Sequence, residues 1–177
     1  MQPLNPFQPP EKNFSLSGEL SSKGSELIVE FSLLDPNNLF ESPNSFLHKA
    51  PLPKQDGLWQ ATCFEVFLSH LGYSRYYEFN FSLTPTWNVY VFDTYREPQP
   101  PQSTTDFSLK EMHWDKQLNR LTVKLESTNH LQAFQASLAA VLKEKNDKKH
   151  YCALTHSGSK PDFHLRESFT LLRGEKK

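Results

Sequence analysis

Three runs between residues 59 and 96 alternate hydrophobic and polar side chains with the two-residue period of a half-buried β-strand. They are TCFEVFL, YYEFNFSL and WNVYVFDTYR, joined by short connections. Phenylalanine, valine and leucine recur at one set of alternate positions, so this face is predicted to join the core. If the runs pair as neighbours, the opposite face becomes a polar, partly aromatic platform formed by Glu65, Glu78, Asn80, Tyr90 and Arg96.

The remaining segments also favour strands, apart from one loop and one stretch of helical composition. FSLSGEL and SELIVEFSLL flank the turn-prone SSKGS, and FSLKEMHW and LTVKLES flank DKQLNR, so each pair predicts a hairpin. HYCALTH and FHLRESFTLL predict two closing strands. Residues 37–57 hold prolines without a sustained period and predict a long loop. The composition of residues 131–145, LQAFQASLAAVLKEK, favours a helix.

A chain of 177 residues with no second composition regime and no internal repeat fits a single domain. Residues 1–12 hold four prolines and little periodicity, and they are predicted to form an extended N-terminal arm. Residues 13–177 are predicted to form one domain in which strands dominate.

The charge of the chain argues against partners that need a strong electrostatic field. With 19 basic and 20 acidic side chains the net charge is -1, so neither nucleic acid nor a membrane is an expected partner. No segment has the ~18 consecutive apolar residues of a membrane span, and the N-terminus lacks a signal-peptide pattern, so a cytoplasmic location is expected. Cys63 and Cys152 lie in apolar runs and are expected to be buried thiols.

The sequence lacks the motifs of the common enzyme classes. It has six glycines and no phosphate-binding glycine loop, no paired cysteines for zinc and no glycine-flanked nucleophilic serine. No catalytic residue, metal ligand or cofactor is therefore predicted, and the pattern favours a binding protein over an enzyme.

Two groups of side chains keep other chemistry open. Glu65 and Glu78 are the residue type that a glycosidase uses as acid and base, although glutamates on a sheet face more often hydrogen-bond to arginine or water. His156, Asp162 and His164 suit a metal ion, but within HSGSKPDFH they fit better a tight turn whose side chains bond to the backbone.

Sugar recognition fits these residue types best. Pyranose rings rest their C–H faces on aromatic rings, and their hydroxyls hydrogen-bond to carboxylate, amide and guanidinium groups. Trp59 stands at the end of the long loop, just before the first polar strand, where an exposed indole can form such a platform. The predicted ligand-binding residues are Trp59, Glu65, Glu78, Asn80, Tyr90, Arg96, His156 and His164.

Four sequence blocks carry a resemblance to a known family. They are WxxTxFExFL from residue 59, YYEFN from residue 76, WxxYxFDxYR from residue 87, and ALxH with PDFH between residues 153 and 164. In this order they resemble small bacterial DOMON-like proteins, which are related to the family 9 carbohydrate-binding modules. The resemblance covers nearly the whole chain.

The resemblance implies an all-β fold, a two-sheet β-sandwich of immunoglobulin-like or jelly-roll type. It also implies that residues 131–145 are mostly strand, with KEKNDKK as a hairpin tip, against their helical composition. The sugar-binding relatives carry structural calcium, so the resemblance leaves a calcium ion open here, and no residue of this chain is assigned as its ligand.

In those relatives two tryptophans enclose a terminal sugar ring, and a glutamate binds its hydroxyls. Trp59 and Glu65 match the first tryptophan and that glutamate. Because no tryptophan follows Trp114, the second wall is absent or is replaced by Phe163 or His164. The leading hypothesis is a non-catalytic carbohydrate-binding-like module for a mono- or oligosaccharide. An interaction or scaffold domain with a protein partner is the alternative, and a glycoside hydrolase-like enzyme is the second alternative.

Overall fold

Residues 1–174 are described by a computed structural model, in which they are almost entirely β-strands and loops. Two single-turn 3-10 helices lie at Leu58–Gln60 and Arg166–Ser168. The strands are β1 Gln2–Pro6, β2 Ser15–Lys23, β3 Glu26–Leu34, β4 Phe46–Lys49, β5 Cys63–His70, β6 Tyr76–Ser82, β7 Trp87–Phe92, β8 Gln102–Ser103, β9 Phe107–Asp115, β10 Arg120–Ser127, β11 Phe134–Lys143, β12 Lys149–Ala153 and β13 Leu171–Arg173.

The strands form one antiparallel hydrogen-bonded path in the order β4-β9-β10-β3-β2-β1-β12-β11-β5-β6-β7-β8, with β13 added beside β11. The path is strongly curled. The all-β class is confirmed, whereas the predicted division into two separate sheets is not. The physical reason lies in β1, which pairs with β2 on one side and with β12 on the other and so joins the two halves. Residues 2–6 of the predicted arm are therefore part of the sheet.

The main core fills the inside of the curl. Residues from both halves meet there: the rings of Phe31 on β3 and Phe64 on β5 lie 5.1 Å apart. The two halves approach closely where β2 carries Gly18, because a Cβ at that position would lie 2.8 Å from Cδ1 of Leu138 on β11. The alternate hydrophobic positions of the predicted runs supply this core, as the strand period requires.

A second, smaller aromatic cluster covers the other face of β5, β6 and β7. Phe67, Tyr76 and Phe92 belong to it, and Phe163 and Phe169 from the segment before β13 pack over them. All seven residues of β6 are consequently buried. The face that alternation predicted to be polar is therefore covered by the C-terminal segment along much of its area.

Three local predictions need correction or confirmation. FHLRESFTLL is not a continuous strand: only Leu171–Arg173 is extended and paired, because the preceding residues cover the second cluster. The loop predicted over residues 37–57 contains β4, which adds to the edge of β9 with Phe46 opposite Trp114. Residues 131–145 hold β11 rather than a helix, as the family resemblance implied.

Both predicted hairpins are present, as β2 with β3 and β9 with β10. The reversal between β11 and β12 also falls where the resemblance implied a hairpin tip. Over residues 1–174, no helix has the length and apolar character needed to cross a membrane.

Candidate functional site

A cavity of about 300 Å³ opens where the polar face of β5 and β6 meets β12 and the segment around residue 162. Its lining combines aromatic rings with charged groups. Five of the eight predicted ligand-binding residues line it: Trp59, Glu65, Glu78, Arg96 and His164. These five residues lie up to 105 positions apart in the chain, so the curl of the sheet is what brings them together.

Glu65 and Glu78 form the floor of this cavity. Strand pairing sets Glu65 opposite Asn80 and Phe67 opposite Glu78, so the two glutamates are diagonal neighbours on one face. The two residues are only 3% and 6% exposed. Asn80 lies behind them and donates from Nδ2 to Glu78 Oε1 over 2.7 Å.

Burial dominates the acid–base properties of both floor carboxyls. Burial raises the pKa of Glu65 well above its usual range, and the nearby charge of Glu78 raises it further. Burial also raises the pKa of Glu78 to about 7, although the Asn80 amide and the Arg96 guanidinium oppose this. The floor therefore holds protons that exposed glutamates would have lost at neutral pH.

Arg96 and Asp162 form a charged rim beside the floor. Arg96 Nη2 lies 2.9 Å from Asp162 Oδ1, and the Tyr95 hydroxyl donates to Asp162 Oδ2 over 2.5 Å. Although burial opposes it, the hydrogen bonds from Tyr95 and Arg96 lower the pKa of Asp162. Arg96 has a backbone φ of +55°, a conformation that turns the chain sharply after β7. After this turn the guanidinium pairs with Asp162 at the cavity.

His164 connects this rim to the floor. The Arg96 N–H donates to the Tyr76 hydroxyl over 3.1 Å, and that hydroxyl lies 2.8 Å from His164 Nδ1. The hydroxyl proton is thus directed to Nδ1, which assigns the ring proton to Nε2, 3.5 Å from Glu78 Oε2. Burial, assisted by the positive charge of Arg96, lowers the pKa of His164 to about 3. The imidazole is neutral and faces the Glu78 carboxyl.

Trp59 forms the accessible wall of the cavity. It lies in the first 3-10 helix and keeps 39% of its surface exposed. Its ring packs edge-on against Tyr90, with centroids 6.1 Å apart. Tyr90 itself is buried and does not line the cavity; its hydroxyl donates to Asp56 Oδ1 over 2.6 Å and accepts from Asn88 Nδ2 over 3.0 Å. Tyr90 therefore supports the indole from behind.

Removal of the Tyr90 hydroxyl tests how much its hydrogen bonds to Asp56 and Asn88 contribute to stability. Tyr90→Phe should lower the free energy of unfolding by about 1–2 kcal/mol, because Asp56 and Asn88 lose a buried partner. Urea denaturation of the variant measures the loss. Tyr73→Phe is the matched control, since Tyr73 is 69% exposed, and it should change stability by less than about 0.5 kcal/mol. Equal effects of the two variants would show that the hydroxyl network is not stabilising.

Asn80, Tyr90 and His156 are the predicted ligand-binding residues that do not line the cavity. Asn80 and Tyr90 contact residues that do, as described above. His156 lies outside: its Nε2 donates to the Asn5 carbonyl over 2.8 Å, and its ring packs 5.2 Å from Phe7. Over residues 1–174, no group of three or more His, Cys, Asp or Glu side chains is arranged to hold a metal ion. The alternative of a His156, Asp162 and His164 metal site thus has no support from the geometry.

Lys149, Tyr151 and Asp162 also line the cavity and were not among the predicted ligand-binding residues. Lys149 and Tyr151 come from alternate positions of β12, so they share a face. Strand alternation in the sequence could have predicted that Lys149 and Tyr151 lie on one face of the same strand. Only the order of strands in the sheet brings that face beside the floor, and the sequence carries no signal of this order.

The comparisons with known proteins support the fold. No family model and no curated protein sequence matches the chain. Among solved structures, the chain is similar to a protein described as a putative carbohydrate-binding protein from Bacteroides uniformis ATCC 8492, with 15% sequence identity and a TM-score of 0.64. The similarity covers 95% of this chain and 83% of that one. At this identity the likeness establishes a shared all-β fold.

Proposed function

We propose that this protein is a non-catalytic carbohydrate-binding-like module that holds one end of a mono- or oligosaccharide in the cavity beside Trp59. The observation that carries the proposal is the placement of an exposed indole over a buried polar floor within one cavity. The structural likeness to a protein described as carbohydrate-binding supports it, as does the sequence resemblance to DOMON-like proteins and family 9 modules.

The chemistry of the cavity suits a sugar ring. Trp59 offers an apolar surface to the C–H face of a pyranose. Glu65 and Glu78 offer acceptors to its hydroxyls, and the Arg96 guanidinium offers donors. The volume lies at the lower end of the range for small-molecule sites, which fits a terminal ring better than an internal stretch of a polymer.

Calorimetry with a panel of mono- and disaccharides tests the proposal. We expect at least one sugar to bind, and Trp59→Ala to weaken it by about tenfold through loss of the aromatic surface. Tyr73→Ala is the matched control, because Tyr73 is an exposed aromatic residue that does not line the cavity. The proposal fails if no sugar in the panel binds at millimolar concentration.

The concave shape of the site disfavours the alternative of a scaffold domain whose polar face docks a protein, since a docking face of that kind is flat. A glycoside hydrolase-like activity is the second candidate. It is favoured by the position of Glu78, whose pKa of about 7 is that of a general acid, beside a second carboxyl. Hydrolysis of an aryl glycoside that depends on both glutamates would identify an enzyme.

A further inference from the structure

One atom on the cavity floor lacks a partner. Within the part of the chain that the structure describes, Glu65 Oε1 is buried and has no hydrogen bond, although Glu65 lines the cavity. A buried carboxyl oxygen without a donor is costly, because its lone pairs have lost water and gained nothing. The neighbouring Glu78 Oε2 faces only the His164 ring nitrogen, at 3.5 Å. Two acceptor oxygens of residues that line this cavity thus have spare hydrogen-bonding capacity.

The cations around the cavity bond elsewhere. Arg96 pairs with Asp162 at 2.9 Å, and Lys149 Nζ donates to the Trp59 carbonyl over 3.4 Å. In residues 1–174, neither floor carboxyl has a lysine or arginine nitrogen within ion-pair distance. The floor is therefore an acidic pair without a direct ion-pair partner among these residues, although the Arg96 charge acts on both carboxyls from the rim.

The walls above the floor are rich in aromatic rings. Trp59, Tyr151 and Phe163 line the cavity together with Phe92. Aromatic faces attract cations as well as the C–H faces of sugars, and they do so most strongly where water is excluded. A positively charged group that enters this cavity meets favourable partners on its walls and on its floor.

We propose that the sugar bound here carries a primary ammonium group, as a hexosamine does, and that this group lies between Glu65 and Glu78 while the ring rests on Trp59. This inference rests on the proposed sugar binding and names the class of sugar. An ammonium group offers three N–H donors, enough to reach both carboxyls at once, whereas a hydroxyl offers one. Charge-assisted hydrogen bonds of this kind are also stronger than those of a neutral hydroxyl.

Binding of an ammonium group has a consequence for protons. Burial holds the pKa of Glu65 and Glu78 above the usual range, so the floor carries protons near neutral pH. A bound cation stabilises the carboxylates and displaces a proton to solvent, so binding of the amino sugar should release protons near neutral pH. The titratable and charged groups that surround the pair are Cys63 on β5, Tyr76 on β6, Arg96 after β7, Lys149 and Tyr151 on β12, and Asp162 and His164 before β13.

Calorimetry with glucosamine, glucose and N-acetylglucosamine tests this inference in two buffers that differ in ionisation enthalpy. Near neutral pH, we expect glucosamine to bind at least about tenfold more tightly than glucose, because each charge-assisted contact exceeds its neutral counterpart. The heat of glucosamine binding should differ between the buffers with the sign that corresponds to proton release, and the heat of glucose binding should not differ. N-acetylglucosamine has the same ring without the charge and should bind no more tightly than glucose.

Glu65→Gln should reduce the preference for glucosamine over glucose to about twofold or less, since the amide supplies no negative charge. Tyr73→Ala, outside the cavity, should keep the full preference. If Glu65→Gln does not fold, the comparison of the three sugars on the unchanged protein decides alone. Equal binding of glucose and glucosamine overturns the ammonium inference and leaves the proposed function standing. Failure of all three sugars, together with the wider panel, overturns both.

Discussion

The free energy of unfolding of Glu78→Gln should rise relative to that of the unchanged protein as the pH increases from 4 to 8, by about 3 kcal/mol in total. Glu78 has a pKa of about 7 in the folded protein against an ordinary value of 4.5. Between these values the folded state holds a proton that the unfolded state has released, so the stability of the unchanged protein falls as pH rises. The stability that the Glu78 proton contributes is complete below pH 4.5 and is lost above about pH 7. Glutamine has no proton to lose and avoids the penalty.

Urea denaturation at a series of pH values measures this difference. The two proteins should be nearly equal at the acid end, where the protonated Glu78 resembles glutamine in shape and hydrogen bonding. Ser137→Ala is the control: it removes a buried polar side chain from β11 without changing a titratable group. Ser137→Ala should lower the free energy of unfolding by the same amount at every pH. A constant offset between Glu78→Gln and the unchanged protein would mean that folding does not raise the pKa of Glu78.

His164→Gln should also change the pH dependence of stability, but here the unchanged protein loses stability as the pH falls, whereas at Glu78 it loses stability as the pH rises. Burial, with Arg96, lowers the pKa of His164 from 6.5 to about 3, so below pH 6.5 the unfolded chain takes up a proton that the folded protein refuses. Stability from this group is complete above pH 6.5 and is lost as pH falls towards 3. The separation of the two values, at about 1.36 kcal/mol for each pH unit, corresponds to about 5 kcal/mol. The free energy of unfolding of the unchanged protein should fall by that amount relative to His164→Gln as the pH decreases from 6.5 to 3.

NMR of the histidine ring protons checks the same claim directly. The His164 signals, assigned by their absence from His164→Gln, should stay at the neutral position from pH 7 down to about pH 4. A midpoint near the ordinary value would show that the ring is open to water and is not held between Tyr76 and Glu78. The two variants are needed together, because Glu78 and His164 have opposing slopes between pH 4.5 and 6.5 and partly cancel in the unchanged protein.

The raised pKa of Glu78 and the lowered pKa of His164 have the same result: the buried polar groups beside Trp59 are held in their uncharged forms. A network of this kind is costly for stability and is paired incompletely, with Glu65 Oε1 lacking a donor in the described chain. Ligand groups that supply the missing donor recover part of that cost. The stability penalty at Glu78 and the proposed preference for an ammonium group therefore have the same physical origin.

Strand alternation alone led to much of the fold and part of the site. The period of two in the runs around Glu65 and Glu78 predicted strands, and it predicted which side chains share a face. Pairing of these runs as neighbours followed from their short connections, which favour antiparallel hairpins. Trp59 was selected because it precedes the first of these strands, and it does stand beside that polar face.

Other features were outside the reach of the sequence pattern. Helix propensity misdescribed β11 because its residues are nearly all buried between neighbouring strands, and burial outweighs a preference of a few tenths of a kcal/mol for each residue. The covering of the polar face by Phe163 and Phe169 was not predicted either. Contacts between segments about a hundred residues apart leave no period in either segment.

By itself, the sequence determined the strands, their faces and the chemical types available to a site, because these depend on spacing within one segment. Only the tertiary structure decided that the strands form one curled path joined through β1, that the polar face lies beneath the segment around His164, and that five distant residues share one cavity. The same burial decided the protonation of Glu78 and His164. Burial is a property of what surrounds a side chain, and those surroundings come from the whole chain.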